Sequence, residues 1–158
     1  MIIILSLSGC GAVECDFYVR GLCVDTGGFP IDSDMLMGTI DIENAILQTD
    51  YPEIDITDIF EKENVSLQYV EILPDYRGKT EENEIQIRFT KSCVDRYYVL
   101  AHEILHIFAE YGIQAKWSDN ANHTVDNLFY SDDYPSIEGY TIHELLPYLA
   151  SEDCYVNN

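Results

Sequence analysis

His102-Glu103-Ile104-Leu105-His106 narrows what this chain can fold into more than any other stretch, because its two histidines can cooperate only on a helix. At i and i+4 of a helix they stand one turn apart on one face and reach a single metal ion. In a strand the same spacing would hold them about 13 Å apart. Glu103, one residue on from His102, is rotated by about 100° around the axis, away from easy ligation and towards a water at the metal. That is the place of a general base. The flanks read as helix too. Ser92-Cys93-Val94-Asp95 forms an N-cap with its acidic partner three residues on, and Gly112 after Tyr111 supplies a stop. Val94, Tyr98, Ala101, Leu105 and Phe108 make a core stripe that leaves His102 and His106 on its shoulder, near Val99 and Ala109, facing a cleft.

A catalytic Zn²⁺ takes three protein ligands and keeps one position open, so a third ligand is expected downstream. His123 is the first candidate, since imidazole is a better zinc ligand than an exposed carboxylate. It lies in a stretch from Gly112 to Gly139 with little periodicity, and so long a loop in a small domain is usually functional or disordered; binding a metal would tie this one down. Asp119, Asp126, Glu138, His143 and Glu144 are the alternatives.

These residues resemble the zincin metallopeptidases, and most of all their metzincin branch. The likeness rests on the HExxH helix, the glycine past its end, the third histidine and a turn beneath the metal. His123 follows His106 at a longer spacing than that branch uses, which implies an extended third-ligand segment. Asn127-Leu128-Phe129-Tyr130 falls where the turn belongs, with Phe129 in place of its methionine, and Tyr140 to Leu146 resembles the short helix that closes such domains. The resemblance implies Zn²⁺ on His102, His106 and His123, with Glu103 as the base. Tyr130 follows the turn residue and is the candidate oxyanion donor, with Tyr134 and Tyr140 as rivals. The stretch from Asp119 to His123 also looks like small secreted bacterial HExxH lipoproteins of unassigned substrate.

The N-terminus agrees with export. Met1 to Leu7 is apolar, and Leu7-Ser8-Gly9-Cys10 resembles a lipobox, with Cys10 as the lipidated residue. The expected organisation is a lipoprotein-type leader at 1–9, a tether at 10–16 and one zincin-like metallopeptidase domain at 17–158. A buried first strand, Ile2 to Leu5, is the alternative. With Cys10 set apart, Cys15, Cys23, Cys93 and Cys154 remain for disulfides. Four cysteines allow three pairings, and Cys23 with Cys93 and Cys15 with Cys154 is the arrangement preferred here. No CxxC pair suggests a thiolate metal site.

Charge excludes some partners. Eight basic against 29 acidic residues give −21, so the chain repels nucleic acid and anionic lipid alike, leaving an N-terminal lipid as its route to a membrane. Asp119, Asn120, Asn122, Asp126, Asp132 and Asp133 offer oxygen ligands for a structural Ca²⁺, without EF-hand spacing. A length of 158 residues fits one domain, expected to be monomeric.

The pattern predicts an α+β fold with a small mixed sheet, the HExxH helix and a short C-terminal helix. Phe17 to Val24 reads as a strand and Thr39 to Gln48 as a helix with Ile42, Ala45 and Ile46 inward. Ile56 to Glu61 reads as a short helix, Val65 to Leu73 as a strand and Pro74 to Asn83 as a polar loop. Glu84 to Thr90 alternates, with Ile85, Ile87 and Phe89 on one face. The zincin resemblance implies that this last strand borders the cleft and pairs with an extended substrate, bringing Gln86, Arg88 and Thr90 to line it. The function expected is a zinc metalloendopeptidase of the bacterial cell envelope, lipid-anchored or secreted. The alternatives are a non-catalytic zinc-binding surface lipoprotein that acts as an interaction module, and a surface-binding module whose histidines carry no metal.

Overall fold

The computed structural model describes residues 14–113, apart from the side chains of Cys93 and Val94. The first strand expected at Phe17 to Val24 is a hairpin, β1 (Phe17–Val19) and β2 (Leu22–Asp25). Arg20 and Gly21 break it. Both take positive φ, 49° and 81°, and two such residues between strands make the turn whose twist matches an antiparallel pair. Gly21 also lets the hairpin tip approach the second helix, since a Cβ there would fall 2.5 Å from Glu61 Cγ. Cys15 and Cys23 are joined by a disulfide with their Cα atoms 5.3 Å apart, which overturns the preferred pairings with Cys154 and Cys93. The turn is the reason. It folds the chain back so that Cys15, just before β1, meets Cys23 in β2. A cystine belongs to oxidising compartments and thus points, weakly, away from the cytosol.

Helix α1 (Ser33–Asp50) starts six residues before the expected Thr39, because Asp32 caps it by accepting from the amides of Asp34 and Met35 at 2.9 and 3.1 Å. Its inward face is Leu36, Ile40, Glu43, Ile46 and Leu47; of the expected inward residues Ile46 is buried, Ile42 packs partly buried against the core, and Ala45 is exposed. Helix α2 (Ile56–Glu63) runs two residues past its expected end and stops at Asn64 in the left-handed conformation. Strands β3 (Ser66–Val70) and β5 (Glu84–Arg88) fall inside their expected spans. Between them the expected polar loop holds a further strand, β4 (Gly78–Glu81), paired antiparallel to β5.

The sheet is mixed, with strand order β1-β2-β3-β5-β4. β2, β3 and β5 are parallel, and the hairpin partners β1 and β4 close the two edges. Val24, Leu67, Tyr69, Ile85 and Ile87 point from one face into a core shared with all three helices. The alternating residues Asp25, Gln68 and Gln86 point from the other face and are linked across the strands. The Gln68 amide donates to Asp25 at 2.8 Å and that of Gln86 to Gln68 at 3.4 Å. The architecture is therefore α+β, as expected.

The third helix, α3 (Cys93–Ile107), carries both histidines, and Ser92 caps it by accepting from the Asp95 amide at 3.3 Å. Two side chains lock its first turns. Tyr97 donates to the carbonyl of Asp32 at 3.1 Å, tying α3 to the start of α1. Arg96 donates to the Thr90 carbonyl and lies over the Phe89 ring, 4.6 Å from its centroid. Of the expected stripe, Ala101, Leu105 and Phe108 are buried, while Tyr98 is only partly so. The helix then widens into a π-helical turn, Phe108–Gly112, closed by the Ile113 amide on the Phe108 carbonyl at 3.1 Å. Gly112 ends the helical run where expected but for a different reason. It has no left-handed φ, and a Cβ there would sit 3.3 Å from Ile54, Ile59 and Phe108, so the need is close packing.

Cys10, Cys154, His123, Tyr130, the Ca²⁺ candidates and the C-terminal helix lie outside the described residues. Among the described residues no helix is long and apolar enough to cross a membrane.

Candidate metal centre

One turn of α3 and one edge strand make the site. Leu100, Ala101, Ile104 and Leu105 are buried in the core and fix the rotation of α3. That rotation presents Tyr98, Val99, His102, Glu103 and His106 to a cavity of about 720 Å³. The His102 and His106 rings stand 5.2 Å apart between centroids and 74° from coplanar. One potential ligand atom from each of His102, Glu103 and His106 lies within 4.8 Å of the others. This donor set fits a metal ion: two imidazoles and a carboxylate, converging from one stretch of helix, suit a divalent ion with nitrogen and oxygen preference. Further donors would have to come from elsewhere in the chain.

The opposite wall is β4, not β5. Because Arg88 donates its amide to the Arg77 carbonyl at 2.9 Å, the antiparallel alternation turns the backbone groups of Gly78 and Thr80 away from β5, to the side where no other strand pairs with β4 among the described residues. Their side-chain direction is towards α3. Thr80 Oγ1 donates to Glu103 Oε2 at 2.7 Å and lies 3.3 Å from the Glu103 carbonyl oxygen. The expectation that Gln86, Arg88 and Thr90 line the cleft is thus corrected. β4 stands between β5 and the edge, and Gln86 points to the other face of the sheet. Tyr76, Arg77 and Lys79 extend this wall, with Arg77 paired to Asp95 and Lys79 to Glu81 at 2.8 Å.

Glu103 is the most buried of the three, only 4% exposed. Burial pushes its carboxyl up to about 7, against which the Thr80 hydrogen bond acts to lower it. Near neutral pH it can both take and return a proton. A raised carboxyl pKa means that the metal-free fold binds this proton more tightly than the unfolded chain does. Its contribution to stability is present in full below the ordinary value of 4.5 and is lost as pH rises through about 7. Metal-free Glu103→Gln is therefore expected to be more stable than the parent by roughly 2 to 3 kcal/mol near pH 8, and equal to it near pH 4. Urea unfolding in chelator at the two pH values measures this, and a pH-independent difference would contradict it.

Of the residues expected from the sequence, His102, Glu103 and His106 are brought together here, while His123 and Tyr130 lie outside the described residues. Gly78 and Thr80 were not anticipated. The one available signal was Gly78 itself, since a glycine can mark a close backbone approach, but its polar neighbours gave no sign of a strand. Glu43 was missed as well. It is fully buried in α1, and its charge acts on Tyr98 in the cavity wall, though burial is the main cause that raises the Tyr98 hydroxyl. A second cavity of about 680 Å³, beside the Cys15–Cys23 disulfide, is lined by no histidine. The chain matches no protein-family model, no curated protein and no solved structure, and its function is read from the site itself.

Proposed function

We propose that the chain is a zinc-dependent peptidase of the zincin type, acting outside the cytoplasm. The observation that carries this reading is the convergence of His102 and His106, one helical turn apart, on a cavity into which the buried Glu103 also faces. When bound, zinc would supply a Lewis acid that polarises a carbonyl and makes a water easier to deprotonate. His102 and His106 hold it, with His123 as the proposed third ligand. Glu103 takes the proton of the attacking water and returns it to the leaving amine as the peptide bond breaks. Its buried surroundings suit both transfers at neutral pH. Tyr130 is the proposed donor to the developing oxyanion. The outer edge of β4, unpaired among the described residues, supports a peptide substrate, because the outward backbone groups of Gly78 and Thr80 can pair with an extended chain. The Cys15–Cys23 disulfide agrees with a secreted or Cys10-anchored protein.

One observation favours a second reading. The Glu103 oxygen belongs to the same 4.8 Å group as the histidine nitrogens and could ligate instead of acting as a base. A fourth protein ligand would then close the site and leave a zinc-binding interaction module without catalysis. Elemental analysis of the full chain and of His123→Ala, with X-ray absorption at the zinc edge, separates the cases. A peptidase site holds about one zinc with three protein ligands and a water, and loses most of it in His123→Ala. Four protein ligands and no water would establish the closed module.

A further inference from the structure

We propose that β4 is a clasp for Glu103, with Gly78 and Thr80 as positioning residues that fix its carboxylate in one orientation against the cavity. This rests on the reading of Glu103 as a base, and names what holds that base in place.

The two residues sit two apart on β4, so both project from the same face of the strand, towards α3. They meet the two ends of one carboxylate. Thr80 Oγ1 engages Oε2 at 2.7 Å, the shorter of its two approaches to Glu103. Gly78 faces the other oxygen. A Cβ built there would fall 2.6 Å from Oε1, 2.9 Å from Glu103 Cγ and 2.5 Å from Val99 Cγ1. Contacts under 3 Å between carbon and these atoms are repulsive, so any side chain at 78 would push Glu103 or the helix aside. With Oε2 held by a hydroxyl, Oε1 is the oxygen left to receive a proton. A base reacts through one lone pair, and an error of about 1 Å in its placement can cost on the order of a hundredfold in rate. The edge strand thus serves two ends at once. Its backbone faces away from β5, and its inward face sets the base beside it.

Thr80→Val removes the hydroxyl at nearly constant volume, Thr80→Ser keeps it, and Gly78→Ala adds the excluded carbon. The first measurement uses the full metal-free chain and reads Glu103 side-chain couplings by NMR. The parent and Thr80→Ser should show one rotamer, and Thr80→Val and Gly78→Ala an averaged or shifted one. The second uses zinc-loaded protein and a pool of dye-quenched peptides. Thr80→Val should lower kcat roughly 10- to 100-fold, with KM within about twofold and zinc content unchanged, and Thr80→Ser should restore most of the rate. A single parent-like rotamer in Thr80→Val, or a parent-like kcat in spite of a mobile Glu103, would overturn the clasp. If the zinc-loaded parent cleaves nothing, the peptidase reading falls, and the rotamer measurement alone decides whether β4 holds Glu103.

Discussion

Glu103→Gln is expected to lower peptide hydrolysis by roughly 10²- to 10⁴-fold, the usual contribution of a positioned general base, while the chain keeps its zinc. The substitution is conservative in shape. A glutamine fills the same buried space, and its carbonyl oxygen can still accept from Thr80 Oγ1, so the cavity should survive. What it cannot do is take a proton from water. On the proposed ligand set His102 and His106 would hold the metal without it, so zinc content and hydrolysis should separate in this variant. Glu103→Asp supplies a contrast, because the shorter side chain keeps the charge but draws back from Thr80. Its rate should fall between the other two. A Glu103→Gln protein as fast as the parent would remove Glu103 from the mechanism.

His102→Ala and His106→Ala are expected to weaken zinc binding by more than about 100-fold each, beyond what loss of an outer hydrogen bond to a ligand costs. Hydrolysis should vanish with the metal. The two variants differ in a second respect. His106 is buried, so its truncation also opens space within the fold, whereas His102 is only partly buried. His102→Ala is the cleaner test of the metal. The loss should also appear as stability. Free zinc at about a hundred times its dissociation constant stabilises the folded parent by about 2.7 kcal/mol, and this increment should disappear in both variants. Thermal unfolding with zinc and with chelator reads it directly, and an unchanged zinc increment in His102→Ala would place the metal elsewhere.

The helix and its three polar residues were legible in the sequence because each signal is local. Ser92 caps, Leu105 and Phe108 face inward, and His102 and His106 follow at helical spacing, all within about five turns of one helix. β5 was legible for the same reason, since Ile85 and Ile87 alternate with polar residues. The hairpin at Arg20-Gly21 was not, because Phe17 to Val24 is apolar enough to read as one strand and an arginine rarely announces a left-handed turn. β4 was hidden for a deeper reason. Gly78-Lys79-Thr80-Glu81 has no apolar side chain, and its place is set by pairing with β5 and by contact with α3, neither of which leaves a periodic trace. That strand nonetheless supplies the hydroxyl that Glu103 accepts from. Pairing of Cys15 with Cys23 likewise depends on the turn between them, and cysteine spacing alone carried no sign of it.

Metal-dependent hydrolysis at His102, Glu103 and His106 is tested most directly by incubating a diverse peptide pool with the zinc-reconstituted full chain and reading the products by mass spectrometry. The account predicts cleavage at internal peptide bonds, abolished by chelator, regained with zinc and absent with Glu103→Gln. A folded, zinc-loaded chain that leaves the whole pool intact would contradict it.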